Sequence, residues 1–377
     1  MSLEEFLLAL MVFWLALSLA FSVVKVRGVD FKPFLLVVKV KPRKLSRLLT
    51  WLSSKWAKVW IALFDVGVAM GFGMMGFALY FLASNLVKHF LAPRQFVAVM
   101  PPIPGVLFPL EVLPHFVVAL SLAVLIHEAA HAIASKVLGV RVRSVGAALF
   151  VVLVAAFVEL EEDDVKKAGV RDKLRIFAAG SFFNMLFFLA LVLALIGLFQ
   201  PGGVVIQRVE PGTPADEAGL MKYGVIKTLN DTTVLSVGDL HDFMGRTRPS
   251  QTIIVGLITP SGEQVEMVVR ATSHPFNASQ GFMGILPADY YELRLGELPP
   301  CVLIHVHVLL FWSQVILFSL AVFNMLPIAI ADGSRMFNTL AEKLLKGDTV
   351  KVRKLSLVLN AISITLIAAN VVVTLAM

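Results

Sequence analysis

A chain of 377 residues with 58% apolar and only 16% charged side chains, and a mean hydropathy of +0.84, cannot cover a soluble globule with polar surface. It reads as an integral membrane protein, in which the excess of 33 basic over 26 acidic residues, +7 in all, reports orientation rather than nucleic-acid binding. One cysteine, Cys301, excludes an internal disulfide and any multi-cysteine metal cluster.

Apolar runs long enough to cross about 30 Å of hydrocarbon fall near 3–24, 59–84, 115–138, 174–199, 302–328 and 355–377, which predicts a polytopic α-helical protein of about six transmembrane helices. The first run opens on Glu4 and Glu5 and closes without a small-residue cleavage site, so a retained helix is expected rather than a signal peptide. Segment 25–58 then carries ten basic residues, at 25, 27, 32, 39, 41, 43, 44, 47, 55 and 58, against Asp30 alone. That excess predicts a cytoplasmic segment and puts both termini outside. Loops 139–173 and 341–354, each rich in Lys and Arg, fall on the cytoplasmic side by the same count of crossings.

The second run holds Asp65 beside a Gly67-x-x-x-Gly71 packing pattern. In the third, which starts at His115, the stretch "LAVLIHEAAHAIASKVLG" (122–139) sets His127 and His131 four apart, with Glu128 directly after the first. On a helix the two imidazoles share one face. The chemistry of this HExxH arrangement is two neutral nitrogens on zinc and a carboxylate placed to take a proton from water. A charge at the centre of a membrane helix costs about 3 kcal/mol, so three ionisable groups in five positions need a purpose. A catalytic zinc also needs a third protein ligand.

Residues 143–158, "RSVGAALFVVLVAAFV", are apolar but too short for a span, and a re-entrant hairpin or sheet packed on protein is expected there. The acidic run 159–164 reads as a solvated turn. Between the fourth and fifth runs, 200–298 changes character: short β-branched strands alternate with Gly, Pro and Asn turns, and "QTIIVGLITPSGEQVEMVVRA" reads as a hairpin. A small α+β domain is predicted, on the outer face by the crossing count. Both Asn-x-Ser/Thr sequons, at Asn230 and Asn277, lie in it. The organisation is then a transmembrane region 1–199, an inserted domain 200–298 and a transmembrane region 299–377.

The fifth run begins with His305 and His307 and ends in "FNMLPIAIADGSRMFN" (323–338), where Pro327 breaks the helix and frees backbone to bring Asp332 inward. Asp65, His115, His305 and His307 show no partner in the sequence. Asp332 does: the third and fifth runs cross in the same direction, so His127, His131 and Asp332 fall in one, cytoplasmic, half of the membrane.

HEAAH in one span, the later Asn-x-x-Pro-x-x-x-x-Asp-Gly (Asn324, Pro327, Asp332, Gly333) and the inserted outer domain together resemble the site-2 proteases, intramembrane zinc metalloproteases. The resemblance covers most of 115–340 and is weakest over the first 58 residues. It implies that His127, His131 and Asp332 hold one zinc ion, and that Glu128 activates the water. It also matches "GSFFN" to the family's Gly-x-x-x-Asn element, making Asn184 a candidate for bonding the substrate carbonyl or its oxyanion, or else for an interhelical bond. "PADEAGL" and "GFMGI" resemble a PDZ domain, although the Asp expected after Gly224 is missing. Ala331 and Ser334 are further departures beside Asp332.

The implied activity is hydrolysis of peptide bonds inside the transmembrane helices of membrane-anchored regulatory proteins, that is, regulated intramembrane proteolysis, in a cell membrane. The implied partners are transmembrane substrates and lipid, with no nucleic acid. Two other classes stay open at this point: a metal transporter, whose polar groups would spread along several spans, and an inactive scaffold, which intact Glu128 opposes. The metal is zinc by ligand type, and similar ligand sets accept Co²⁺ or Fe²⁺.

Overall fold

The computed structural model describes residues 3–24, 26, 28–40, 51, 53, 55–100 and 108–376; the basic residues at 25, 27, 41, 43, 44 and 47 lie outside these. Among the described residues six helices are long and apolar enough to cross a membrane. They are α1 (Leu3–Val23), α2 (Ala57–Leu91), α3 (Leu113–Val137), α4 (Val170–Leu198), α5 (Pro300–Phe323) and, after the amphipathic α6 (Asp332–Leu344), α7 (Thr349–Ala376). Leu125, Leu193 and Ile196 stand exposed on α3 and α4, the composition of a surface that meets lipid rather than water.

The chain divides into two compact units, Met1–Leu189 with Trp312–Met377 and, between them, Ala190–Phe311. In the first unit the helices meet through small residues, as close packing in a membrane requires. Gly67 of α2 lies against Phe182 of α4 and Gly71 against Met336 of α6, so the predicted glycine pattern is a contact surface. Asp65, two residues before Gly67, pairs with Arg175 at 2.8 Å and Arg171 at 2.9 Å on α4, partners that sequence spacing does not reveal.

Helix α3 ends in a Schellman turn: Val140 N–H donates to Ser135 O at 2.8 Å and Gly139 N–H to Lys136 O. The turn feeds directly into a hairpin. Strands β1 (Val29–Lys32), β2 (Leu35–Val40), β3 (Val142–Phe150) and β4 (Leu153–Leu160) form one antiparallel sheet in the order β1-β2-β3-β4. The hairpin expected at 143–158 is therefore half of a larger sheet, joined at Val38↔Ala147 to a segment that the basic loop had hidden. Its tight turn holds Val151 at φ +56°, a costly conformation for a β-branched residue. Trp14 Nε1–H donates to Val151 O at 3.0 Å, and Val151 N–H to Phe34 O, which fix it.

The acidic run differs from the solvated turn expected. Glu159, next to last in β4, contacts Lys39 and Ser144, and residues 162–167 form a short helix. Its Asp164 accepts from the side chain of Arg141 at 2.7 and 3.0 Å and from the Arg141 backbone N–H at 3.1 Å. That guanidinium, with the one backbone N–H, holds the Asp164 carboxyl down to about 2.

The fifth helix stops at Phe323, earlier than the run to 328 predicts. Asn324–Ala331 are a chain of tight turns around buried Pro327, and Asp332 opens α6, where a carboxylate suits the helix N-terminus. Gly333 is required by proximity: its N–H donates to Asn324 O at 3.0 Å, and a Cβ there would stand 2.0 Å from Met325 O.

In the second unit β5 (Phe199–Val209), β6 (Val225–Leu229), β7 (Thr232–Thr233), β8 (Thr252–Ile258), β9 (Gln264–Arg270) and β12 (Ile285–Leu293) form a sheet in the order β12-β5-β6-β8-β9, with β7 on β6. The short β10 (Thr272–His274) and β11 (Asn277–Phe282) pair separately. Alternation along β8 sends Ile253, Val255 and Leu257 inward, where they join Ile206, Ile226 and Leu229; each such side chain contributes about 1.5–3 kcal/mol of burial. Helix Val237–Arg246 covers this core and starts in a capping box between Ser236 and Asp239. The ring of His307 stacks on Tyr291 at 5.4 Å and that of His305 lies 5.8 Å from Tyr223.

Candidate active site

His127 and His131 are buried on the same face of α3, and Asp332 is buried at the first turn of α6. Their ligand atoms converge. Nε2 of His127 lies 3.2 Å from Nε2 of His131 and 3.2 Å from Oδ2 of Asp332, and the last two atoms are 3.0 Å apart. A tetrahedral site with ligands about 2.0–2.1 Å from the ion has edges of about 3.3 Å, so the three atoms match one face of such a site. Two imidazoles and a carboxylate are a donor set for a divalent transition metal, and the residues fit one.

The ring orientations are set from α4. His131 Nδ1–H donates to the Ile176 carbonyl at 2.7 Å, which leaves Nε2 bare toward Asp332. Gly180, one turn on, allows the approach: a Cβ there would stand 2.5 Å from both His127 Cε1 and His131 Nε2. Another turn on, the fully buried Asn184 brings its amide 3.3 Å from His127 Nδ1.

Glu128 leaves the shared face of the histidines and turns to the hairpin, where its Oε2 accepts from Val158 N–H at 2.7 Å. Asn324 stands over the ligand atoms: its Nδ2 is 2.8 Å from Asp332 Oδ2 and 3.1 Å from His127 Nε2. Arg335 lies 3.8 Å from the outer oxygen of Asp332.

A comparison with known protein families matches residues 115–369, more than half of the chain, to peptidase family M50. The chain belongs to peptidase family M50. It is thus of a metallopeptidase family and, with its six apolar helices, a multi-pass membrane protein. It is similar to an uncharacterized protein of Methanocaldococcus jannaschii, 26% identical over 298 residues that cover 77% of this chain and 73% of the relative. Among solved structures it is similar to the PDZ domain of an SdrC-like protein from Listeria monocytogenes, at 15% identity over 23% of this chain and 90% of that one, with a TM-score of 0.21.

All five site residues expected from the sequence of this M50 chain lie in the first unit: His127, His131 and Asp332 meet directly, Asn184 touches His127, and Glu128 follows His127 on α3. In the sequence Asn324 and Gly180 stand as motif positions without an assigned role, and nothing there points to the Ile176 carbonyl or the Val158 N–H. Asn324 had a visible signal, since it opens the Asn-x-x-Pro motif eight residues before Asp332. Ile176, Gly180 and Asn184 had one too, a spacing of four that lines one face of α4. A backbone N–H leaves none.

Proposed function

We propose that this chain is an intramembrane zinc metalloprotease of the site-2 type, hydrolysing peptide bonds within the transmembrane helices of membrane-anchored regulatory proteins. The observation that carries the reading is the convergence of His127, His131 and Asp332, with ligand atoms 3.0–3.2 Å apart, in a chain of this family. Zinc held by these three supplies Lewis acidity, lowering the pKa of water and polarising a carbonyl. The chain's own groups do the remainder. Glu128 takes the proton from the attacking water and returns it to the leaving amine. The Asn324 amide donates to the carbonyl oxygen as charge builds there.

A substrate helix hides its carbonyls in its own hydrogen bonds, so it has to open before it can be cut. The outer edge of β4 supports a way. Val158 N–H points away from β3, and alternation gives Ala156 and Val154 the same direction, so an unwound substrate segment adds to the sheet as a further strand beside Glu128. The 143–158 hairpin is then the re-entrant element of the site. Segment 200–298 acts as a PDZ-like outer domain that either captures trimmed peptide ends or excludes bulky ectodomains. Basic loops 25–58, 139–173 and 341–354 face the cytoplasm, with both termini outside a cell membrane.

The test is incubation of the purified protein with a panel of transmembrane peptides, with and without chelator, and mass spectrometry of the products. Glu128→Gln should abolish cleavage with zinc content near one per chain. Cleavage that survived in that variant would defeat the mechanism.

A further inference from the structure

We propose that Asn184 is a positioning residue that fixes the tautomer of His127, rather than a donor to the substrate carbonyl; the inference rests on the metal site above. His127 points Nε2 at Asp332 and His131, 3.2 Å from each, so Nε2 is its ligand atom. A neutral imidazole that ligates through Nε2 carries its proton on Nδ1, and that proton needs an acceptor. Nδ1 of His127 faces the side chain of Asn184 at 3.3 Å.

Asn184 has one end that accepts and one that donates. With Nδ2 toward the ring it would donate to Nδ1, forcing the proton onto Nε2, where it blocks the metal. In the same arrangement its Oδ1 is fully buried with no hydrogen-bond partner. A half turn of the amide reverses both assignments, with Nδ2 taking the place that Oδ1 held. Oδ1 then accepts from Nδ1–H, the buried oxygen is satisfied, and Nε2 is bare for the metal.

The geometry of α4 supports the assignment. Ile176, Gly180 and Asn184 follow one another at a spacing of four, so the helix offers His131 an acceptor from Ile176 at 2.7 Å, then a gap at Gly180 that both rings fill, then an acceptor for His127. The two histidines are thus oriented by one face of one helix. Because the amide is engaged on the Nδ1 side of the ring, away from the ligand atoms, it is not free to bond a carbonyl at the metal. Asn324 holds that place.

The experiment measures zinc affinity of the full-length protein in detergent by competition with a chromophoric chelator, for wild type, Asn184→Ala and Asn184→Asp, with kcat and KM on one transmembrane peptide at saturating zinc. Loss of an outer hydrogen bond to a ligand weakens metal binding roughly 10–100-fold, and Asn184→Ala should show that loss. Asn184→Asp, which keeps an acceptor against Nδ1–H, should bind zinc within a few-fold of wild type and recover kcat relative to Asn184→Ala. Zinc affinity unchanged in Asn184→Ala overturns the proposal. So does Asn184→Asp binding as weakly as Asn184→Ala while both variants keep wild-type helicity and gel-filtration profile. Affinity is read without cleavage, so either failure is distinct from a wild type that binds zinc and cuts nothing, which would instead overturn the protease reading.

Discussion

The backbone N–H of Val158 donates to Oε2 of Glu128 at 2.7 Å, tying the carboxylate of the HExxH helix to the outermost strand of the four-stranded sheet. A side chain with several rotatable bonds is thereby held at one place beside the metal ligands, and the hairpin becomes part of the site. Val158→Pro removes this donor at an edge position, where proline costs no bond to β3. A hydrogen bond to a charged group is worth about 1.5–3 kcal/mol, so kcat should fall roughly 10–100-fold. Zinc content should stay at the wild-type level. Val158→Ala, which keeps the N–H, should cleave at close to the wild-type rate, and equal losses in the two variants would refute the role.

Gly180 of α4 leaves room for His127 and His131. A methyl group there would stand 2.5 Å from His127 Cε1 and His131 Nε2, so one of the rings or the helix has to move. Gly180→Ala is expected to destabilise the first unit by about 1–3 kcal/mol through overpacking and to lower zinc occupancy. Thermal unfolding and metal analysis of the purified variant test both. Gly73→Ala serves as control, since a Cβ there meets nothing within 4 Å.

The convergence of His127, His131 and Asp332 was legible because chemistry at membrane depth is sparse: the three stood out against apolar neighbours, and Pro327 marked where the chain turns back. What the sequence did not carry is what depends on distant pairing. Segment 29–40 joins 142–160 mainly through the backbone ladder between Leu35–Val40 and Val145–Phe150, and its basic residues read as loop. Glu159 and Asp164 looked solvated because Lys39 and Arg141, their partners, are far apart in the chain. The end of α5 moved from 328 to Phe323 because Asn324 spends its carbonyl on Gly333 and its amide on Asp332, an arrangement that hydropathy does not register.

The Arg141–Asp164 pair closes the base of the hairpin, and its pH dependence follows from the lowered Asp164 carboxyl. A group depressed to about 2 from the usual carboxylate range stabilises the fold at every pH above that range, and the contribution disappears as pH falls through the folded value. The hairpin base should therefore be equally protected from pH 8 to about pH 5, and loosen from about pH 5 down through 2. Hydrogen exchange of β3 and β4 in wild type and Asp164→Asn checks this. The two proteins should differ at pH 6 and draw together as pH falls through 2, and a difference as large at pH 2 as at pH 6 would exclude the ion pair as its cause.

Removal of the metal should be felt as stability, because the three ligands join α3 to α6 across the first unit. An ion that binds only the folded chain stabilises it by about 2.7 kcal/mol at a hundredfold excess over its Kd. At about 2–4 °C per kcal/mol for a unit of this size, chelation should lower the Tm of the first unit by about 5–10 °C, and added zinc should restore it. His127→Ala should show no difference between chelator and zinc. The effect is local by the same argument: β8 and β9 of the second unit hold none of the ligands, so their hydrogen-exchange protection should be unchanged by chelator. A fall in protection there equal to that around His131 would mean that the metal acts on the whole chain rather than through the His-His-Asp site.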